Sequence, residues 1–305
     1  MNESLDLTTI ILTFNEELHI RRCLENVRQF SRQIFVIDCF STDKTVEIAQ
    51  ELGATVLQHK WENSYAKQFN WALENCPVST TWVLRLDADE YLFPEAIEEL
   101  RQTLPTLADD VTALEMPLAR IWMGRRIYRG TGKIMLKRLF RYGIGRCESR
   151  LMDEHIVTSR GRDAAMKNGF ADDNLNDLSW WAHKHVNYAI REAVDLLDIE
   201  FDLLGHEKVS GKQDKIGEQA AAKRRIKHRY AGMPLFWRAF AYFIYRYFLR
   251  LGFLEGKEGF CWHFFQGLWY RMLVDAKVFE IRKVCGNDPQ KIRDYVETHY
   301  HISLK

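Results

Sequence analysis

The sequence predicts an α/β fold: a mostly parallel sheet with helices on both faces, followed by a helical, aromatic-rich extension. Three observations predict it. Short apolar runs alternate with segments of helical periodicity through the first ninety residues. The main apolar runs end in tight polar clusters, and in such sheets ligands lie beyond the carboxyl ends of the strands. From Pro234 onward the chain becomes strongly aromatic.

Residues 7–14, LTTIILTF, read as a first strand ending at Asn15-Glu16-Glu17, and Ile20, Leu24 and Val27 mark one face of the helix that follows. Residues 34–38, IFVID, read as a second strand. Ser41 or Thr42 is the expected cap of a helix from Lys44 to Leu52, which Gly53 ends. A strand at Ala54–Gln58, a helix over 64–75 and a buried strand at Trp82–Leu86 complete the series, and the last leads directly into Asp87-Ala88-Asp89-Glu90. Asn15–Glu17, Asp38 and Asp87–Glu90 are therefore expected to be neighbours in space. Further on, Arg120 to Arg150 carries ten Arg or Lys and one acid, Asp172–Asp177 reads as an acidic loop, 180–204 as a helix and 205–228 as a polar linker or mobile loop.

The chain has 305 residues and a formal net charge of +1, so it lacks the strong basic excess of a general nucleic-acid binder. Its six cysteines form no C-x-x-C pair, which leaves zinc and disulfide frameworks unsupported. The opening MNESLDLTTI has neither the basic start nor the apolar core of a signal peptide, so reduced thiols in a cytosolic setting are expected.

Asp87 and Asp89 supply hard oxygen ligands of the kind Mg²⁺ or Mn²⁺ takes, together with phosphate and water. A solvated acidic turn gives the same residue pattern. The strand that leads into the pair, and the two polar strand ends expected beside it, favour the metal. The first hundred residues resemble family 2 glycosyltransferases, which have the GT-A fold. Thr13-Phe14-Asn15-Glu16 is similar to that family's T-[YF]-N-E strand end. Val36 to Thr45 is similar to its V-[VI]-D-x-x-S-T-D-x-T segment, and Asp87-Ala88-Asp89-Glu90 to its metal motif. The resemblance implies that Thr13, Phe14, Asn15 and Glu17 line a nucleotide pocket and that Asp38 accepts a hydrogen bond from the base, such as uracil N3–H. It also implies that Asp89 binds the metal while Asp87 helps hold the ribose or the metal shell. Many relatives carry a second Asp where Cys39 stands, and an Arg where Phe69 precedes Asn70; Lys67 or Gln68 is expected to take over the latter's polar role.

Relatives generally invert the anomeric centre, which needs a base for the acceptor hydroxyl. Glu154 aligns with the Glu of a His-Glu pair in the lipopolysaccharide-core and exopolysaccharide branch. It is the expected base, with Asp153 the runner-up; a surface acidic turn is the plain alternative. The basic run is expected either to grip an anion or to be an ordinary solvated face. Lys184, His185 and Tyr188 are similar to a K-H-x-x-Y element of the same branch, and Gly252 to Gly259 to a G-F-[LI]-[DE]-G-x-x-G turn.

Residues 236–253 form an amphipathic pattern. At about 100° per residue, Arg238, Arg246 and Arg250 share one arc, and Phe236, Trp237, Phe240, Ile244, Phe248 and Leu251 lie opposite. A second aromatic helix is expected over 260–283. Residues 230–283 hold eight Lys or Arg against four acids, which suits an anionic membrane surface; packing within the protein is the alternative. The expected division is a catalytic domain at 1–170 (donor half 1–100, acceptor half 101–170), a helix and linker at 171–229, and a membrane-associating region at 230–305. The expected activity is transfer of a hexose from a UDP-sugar to a lipid-linked or lipopolysaccharide-type acceptor, metal-assisted, at the inner face of the cell membrane. Two rivals are a nucleotidyltransferase, disfavoured because residues 12–22 contain no glycine for a phosphate loop, and a degenerate transferase acting as a membrane scaffold.

Overall fold

A computed structural model describes residues 4–148, 154–203, 226–302 and 304. Asp153 and almost all of the expected linker lie outside the described residues. The chain divides into two compact units. One comprises the residues up to Arg126 and those from Lys133 to Leu175; the other comprises Ile127–Gly132 and the described residues from Asn176 onward.

The first unit is built on β1 (Leu5–Thr13), β2 (Ser31–Asp38), β3 (Thr55–Gln58) and β4 (Trp82–Asp87), with α1 (Ile20–Val27), α2 (Thr45–Glu51) and α3 (Tyr65–Asn75) between them. These strands lie in the order β3-β2-β1-β4, all parallel. Period-two alternation explains why both faces are covered. Leu7, Ile11, Val36, Leu84 and Leu86 join one core with Ile20, Leu24 and Val27 of α1. Ile10, Phe35, Ile37 and Val83 join another with Ala66, Phe69 and Ala72 of α3.

Beyond β4 the sheet becomes mixed. After β5 (Glu90–Leu92) and α4 (Pro94–Thr103) come β6 (Val111–Trp122), β7 (Arg125–Ile127), β8 (Ile134–Arg141), β9 (Gly145–Cys147), β10 (Ile156–Thr158), β11 (Arg162–Ala165) and β12 (Phe170–Asp172). β8 runs antiparallel to both β4 and β6, β12 pairs parallel with β6, and β5 pairs antiparallel with β12. Only Ala88 and Asp89 separate β4 from β5, so the sheet curls until its far edge returns to the tip of β4.

Two details differ from expectation. Neither Ser41 nor Thr42 caps α2; Asp43 serves its start, Oδ1 accepting from Thr45 N at 3.0 Å. Ser41 and Thr42 are held instead by Asp38 and Asn15. The second correction concerns the amphipathic segment of the other unit, where Trp237–Ile244 is helical and continues into a wider turn at Tyr245–Leu249. Its polarity is inverted. Arg238 and Arg246 are each 2% exposed, whereas Trp237 is 75% and Leu249 71% exposed, and Phe240, Ile244 and Phe248 also face solvent. Only Arg250 of the three arginines is exposed.

The inversion has an electrostatic cause. Asp275, on the helix Tyr270–Cys285, is fully buried, and a buried carboxylate needs a cation. Arg238 supplies it, with Nε 2.7 Å and Nη2 2.5 Å from Oδ1, while Nη1 donates to the Tyr230 and Ala231 carbonyls. The long helix α5 (Leu178–Phe201) is tied to Tyr270–Cys285 in the same way, since Glu192 accepts from Tyr270 Oη and Arg271 Nη1. Asp275→Leu or Arg238→Met alone should destabilise the helical unit by about 3–5 kcal/mol, because each strands the other charge. The double variant should cost far less in denaturant unfolding; additive losses would show that the pair is not coupled.

Candidate functional site

The register of β1 with its two neighbours builds the site. Thr13 pairs with Asp38 across β2, and Leu12 pairs with Asp87 across β4. Strands lie about 4.8 Å apart, so the backbones of Asp38 and Asp87 are on the order of 10 Å apart with β1 between them. The three sequence clusters are thus brought to one edge, at the carboxyl ends of parallel strands.

Asp38 is fully buried. Its Oδ1 accepts from Thr13 Oγ1 at 3.1 Å and from Ser41 Oγ; its Oδ2 accepts from Ser41 N at 2.9 Å and Gln58 Nε2 at 3.3 Å. A carboxylate has about four acceptor positions, and all are filled. A nucleobase N–H would reach Asp38 only by displacing one of these donors. Asn15 and Glu17 also serve the loops: Asn15 Oδ1 accepts from Thr42 N at 2.8 Å, and Glu17 Oε2 from Lys44 N at 3.2 Å. Asn15 adopts the left-handed conformation at φ 55, which suits Asn. Phe14 stands exposed on this edge. So does Phe40, which the sequence reading did not single out; its φ of 60 is a strained value for an aromatic residue.

Gln68 and Lys67 do not project alike. Gln68 is buried, its Oε1 2.7 Å from His59 Nδ1 and its Nε2 donating to Cys39 Sγ at 3.2 Å. Burial, with Asp38 adjacent, pushes the Cys39 thiol up to about 11. Lys67 is exposed and faces Glu62 at 3.4 Å.

Asp87 and Asp89 flank the turn between β4 and β5. Asp87 is half-buried; Arg138 Nη2 lies 3.3 Å from its Oδ2 and Arg85 Nη2 4.0 Å from its Oδ1. Asp89 is half-buried too; its Oδ2 accepts from Asn174 Nδ2 at 2.9 Å, and its Oδ1 has no partner among the described residues. Glu90 lies beneath them, held by Arg138 and accepting from Asp87 N at 2.9 Å; burial raises its carboxyl well above the usual range, against the pull of Arg138. The segment after β12 completes the turn. Asp173 N donates to the Asp89 carbonyl, Arg22 bridges Asp173 and that carbonyl, and Leu175 N donates to His19 Nε2. The sequence showed this segment only as an acidic loop.

Among the described residues, no three His, Cys, Asp or Glu gather closely enough to hold a metal by themselves. Asp89 offers a carboxylate oxygen without a partner among the described residues, and Asp87 a half-exposed one shared with arginine. That donor set fits a hard cation whose shell is completed by phosphate oxygens and water.

Glu154 is half-buried in the connection between β9 and β10, beside His155, whose backbone N–H donates to Glu148 Oε1 at 3.1 Å. The hairpin is fixed by Asn70, which donates to the Cys147 carbonyl and accepts from Cys147 N, both at 2.8 Å. The Cys147 thiol is pushed up to about 11, by burial first; Arg85 opposes the shift, and Glu154 and Glu148 add to it.

Residues 8–144 match the family model described as glycosyl transferase family 2. An uncharacterised glycosyltransferase of Rickettsia typhi is 39% identical over 94 residues, covering 31% of each chain. A lipopolysaccharide core biosynthesis glycosyltransferase of Rhizobium meliloti is 32% identical over 116 residues, covering 36% of this chain and 41% of that one. The chain thus spans well under half the length of these relatives. Among solved structures, glucosyl-3-phosphoglycerate synthase from Mycobacterium tuberculosis, in complex with Mn²⁺, UDP and glucosyl-3-phosphoglycerate, is 18% identical with a TM-score of 0.32; the match covers 37% of this chain and 43% of that one. Residues 8–144, which match the glycosyl transferase family 2 model, are the segment that forms the first strands of the curled, mixed sheet and carries the acidic tip of β4.

Proposed function

We propose that the chain is an inverting glycosyltransferase that moves a hexose from a UDP-sugar to a lipid-linked or lipopolysaccharide/exopolysaccharide acceptor at the inner face of the cell membrane. The observation that carries this reading is the convergence of Thr13, Asp38 and Asp87 on neighbouring strand ends, within a segment that matches the family. Phe14 and Phe40 stand exposed where a nucleobase would stack. Asp89 and Asp87 would hold Mn²⁺ or Mg²⁺, which offsets the negative charge that builds on a leaving diphosphate.

In the single displacement, the acceptor hydroxyl oxygen bonds to the anomeric carbon as the bond from that carbon to the diphosphate oxygen breaks. Glu154 takes the hydroxyl proton, and UDP departs with the electron pair of the broken bond. Asp153, outside the described residues, is the alternative base. A scaffold with a dead site is the second reading, favoured by the filled acceptor positions of Asp38.

The helical unit supports membrane association through its outward apolar side chains rather than through arginines, since Arg238 and Arg246 are buried. Among the described residues, no helix is long and apolar enough to cross a membrane. Exposed Arg250 and Lys257 retain a basic contribution near that surface.

Incubation with UDP-hexoses, Mn²⁺ and a lipid-linked acceptor should release UDP, and Asp89→Asn should slow release by about a hundredfold or more, the scale of losing a cation's Lewis-acid help. Unchanged turnover would remove Asp89 from the metal site. Absence of metal-dependent UDP binding in the parent would favour the scaffold. Separately, Phe248→Ser with Leu249→Ser should weaken sedimentation with phosphatidylglycerol-containing vesicles by about tenfold or more, given the apolar area withdrawn from lipid. Arg238→Met should leave sedimentation unchanged if its protein remains folded. Equal binding by the serine variant would assign those side chains to another role.

A further inference from the structure

Arg85 is a buried cation near the strand ends whose guanidinium finds few acceptors among the described residues. It lies on β4 two residues before Asp87, so the two side chains leave the same face of the strand. That face packs against Phe69, Phe140 and Cys147. Arg85 is 7% exposed. Its guanidinium carbon stands 5.3 Å from the centre of the Phe69 ring, and Nη1 lies 3.3 Å from Cys147 Sγ. Nη2 is 4.0 Å from Asp87 Oδ1, beyond hydrogen-bonding distance, and Nε has no partner.

A guanidinium carries five N–H donors. Here one reaches a thiol, which is a weak acceptor, and among the described residues no carboxylate or carbonyl accepts a hydrogen bond from any of the others. Two other buried arginines, Arg138 and Arg238, are treated differently. Arg138 donates to Glu90 and Asp87, and Arg238 to Asp275 and two carbonyls. A buried cation left this short of acceptors is costly unless an anion joins it.

We infer that Arg85 binds the diphosphate of the sugar donor. This rests on the nucleotide-sugar reading of the site. Phe69, on α3, forms the apolar surface over which the Arg85 guanidinium lies. The planar fork suits phosphate oxygens. Its placement between Asp87 and Cys147 sets it beside both the acidic turn and the hairpin that leads to Glu154.

The test is calorimetric titration of the full chain, in Mg²⁺, with UDP, uridine and inorganic pyrophosphate. Arg85→Met keeps the apolar stem over Phe69 and removes the charge. It should weaken UDP and pyrophosphate by about tenfold or more while leaving uridine unchanged, the scale of a charge-assisted hydrogen bond. Arg85→Lys, the variant to use if the methionine form does not fold, should lose part of that affinity, again with uridine unaffected. Equal UDP affinity in the variants would overturn the assignment. So would a parallel loss of uridine and UDP, which would mark Arg85 as a packing residue. A parent that binds pyrophosphate but not UDP would sink the nucleotide-sugar reading and leave the anion site standing. A parent that binds neither would remove both.

Discussion

The candidate site depends on the register of β1 between β2 and β4. Side chains alternate along a strand, so a slip of one residue would turn Thr13 from Asp38 and move Leu12 out of step with Asp87. Burial on both faces makes such a slip costly, because Ile10 and Ile11 belong to different cores and would have to exchange them. The acidic tip is therefore set by apolar packing well inside the sheet. Asp38 then fixes the next layer. Its carboxylate gathers Thr13, Ser41 and Gln58, and Asn15 and Glu17 tie the first loop to the second. The strand ends form a preorganised edge whose aromatic side chains, Phe14 and Phe40, stand outward.

Buried charge organises the rest. Around the β4–β5 turn, Arg138 holds Glu90 and Asp87, and Arg22 holds Asp173 over the Asp89 carbonyl. In the helical unit, Asp275 draws Arg238 inward, and Glu192 draws Tyr270 and Arg271. One rule serves both places: a carboxylate removed from water takes an arginine with it. In Trp237–Ile244 this leaves the apolar residues opposite Arg238 facing out. Arg85 departs from the rule, because among the described residues its one hydrogen-bond acceptor is the Cys147 thiol.

Much of the site was legible from residues alone. Asn15, Asp38 and Asp87 each follow an apolar run, and chain reversal through helices returns every run in the same direction, so their tips had to meet. Other parts were not legible, for specific reasons. Asn174 and Leu175 reach the acidic turn only because the sheet curls through β6 and β12, a pairing between segments far apart in sequence. Arg85 was hidden within an apolar run, where an arginine reads as an interruption of the core. Its spacing of two from Asp87 was the available signal.

The amphipathic segment marks the boundary most clearly. The sequence by itself determined that residues 236–251 have a basic side and an aromatic side, because helical periodicity depends only on the order of residues. Which side faces protein was decided by Asp275, nearly forty residues later, whose burial makes the arginine side the inner one. Local order sets the pattern of a helix. Its orientation is set by the free energy of burying charges that meet only in the folded chain.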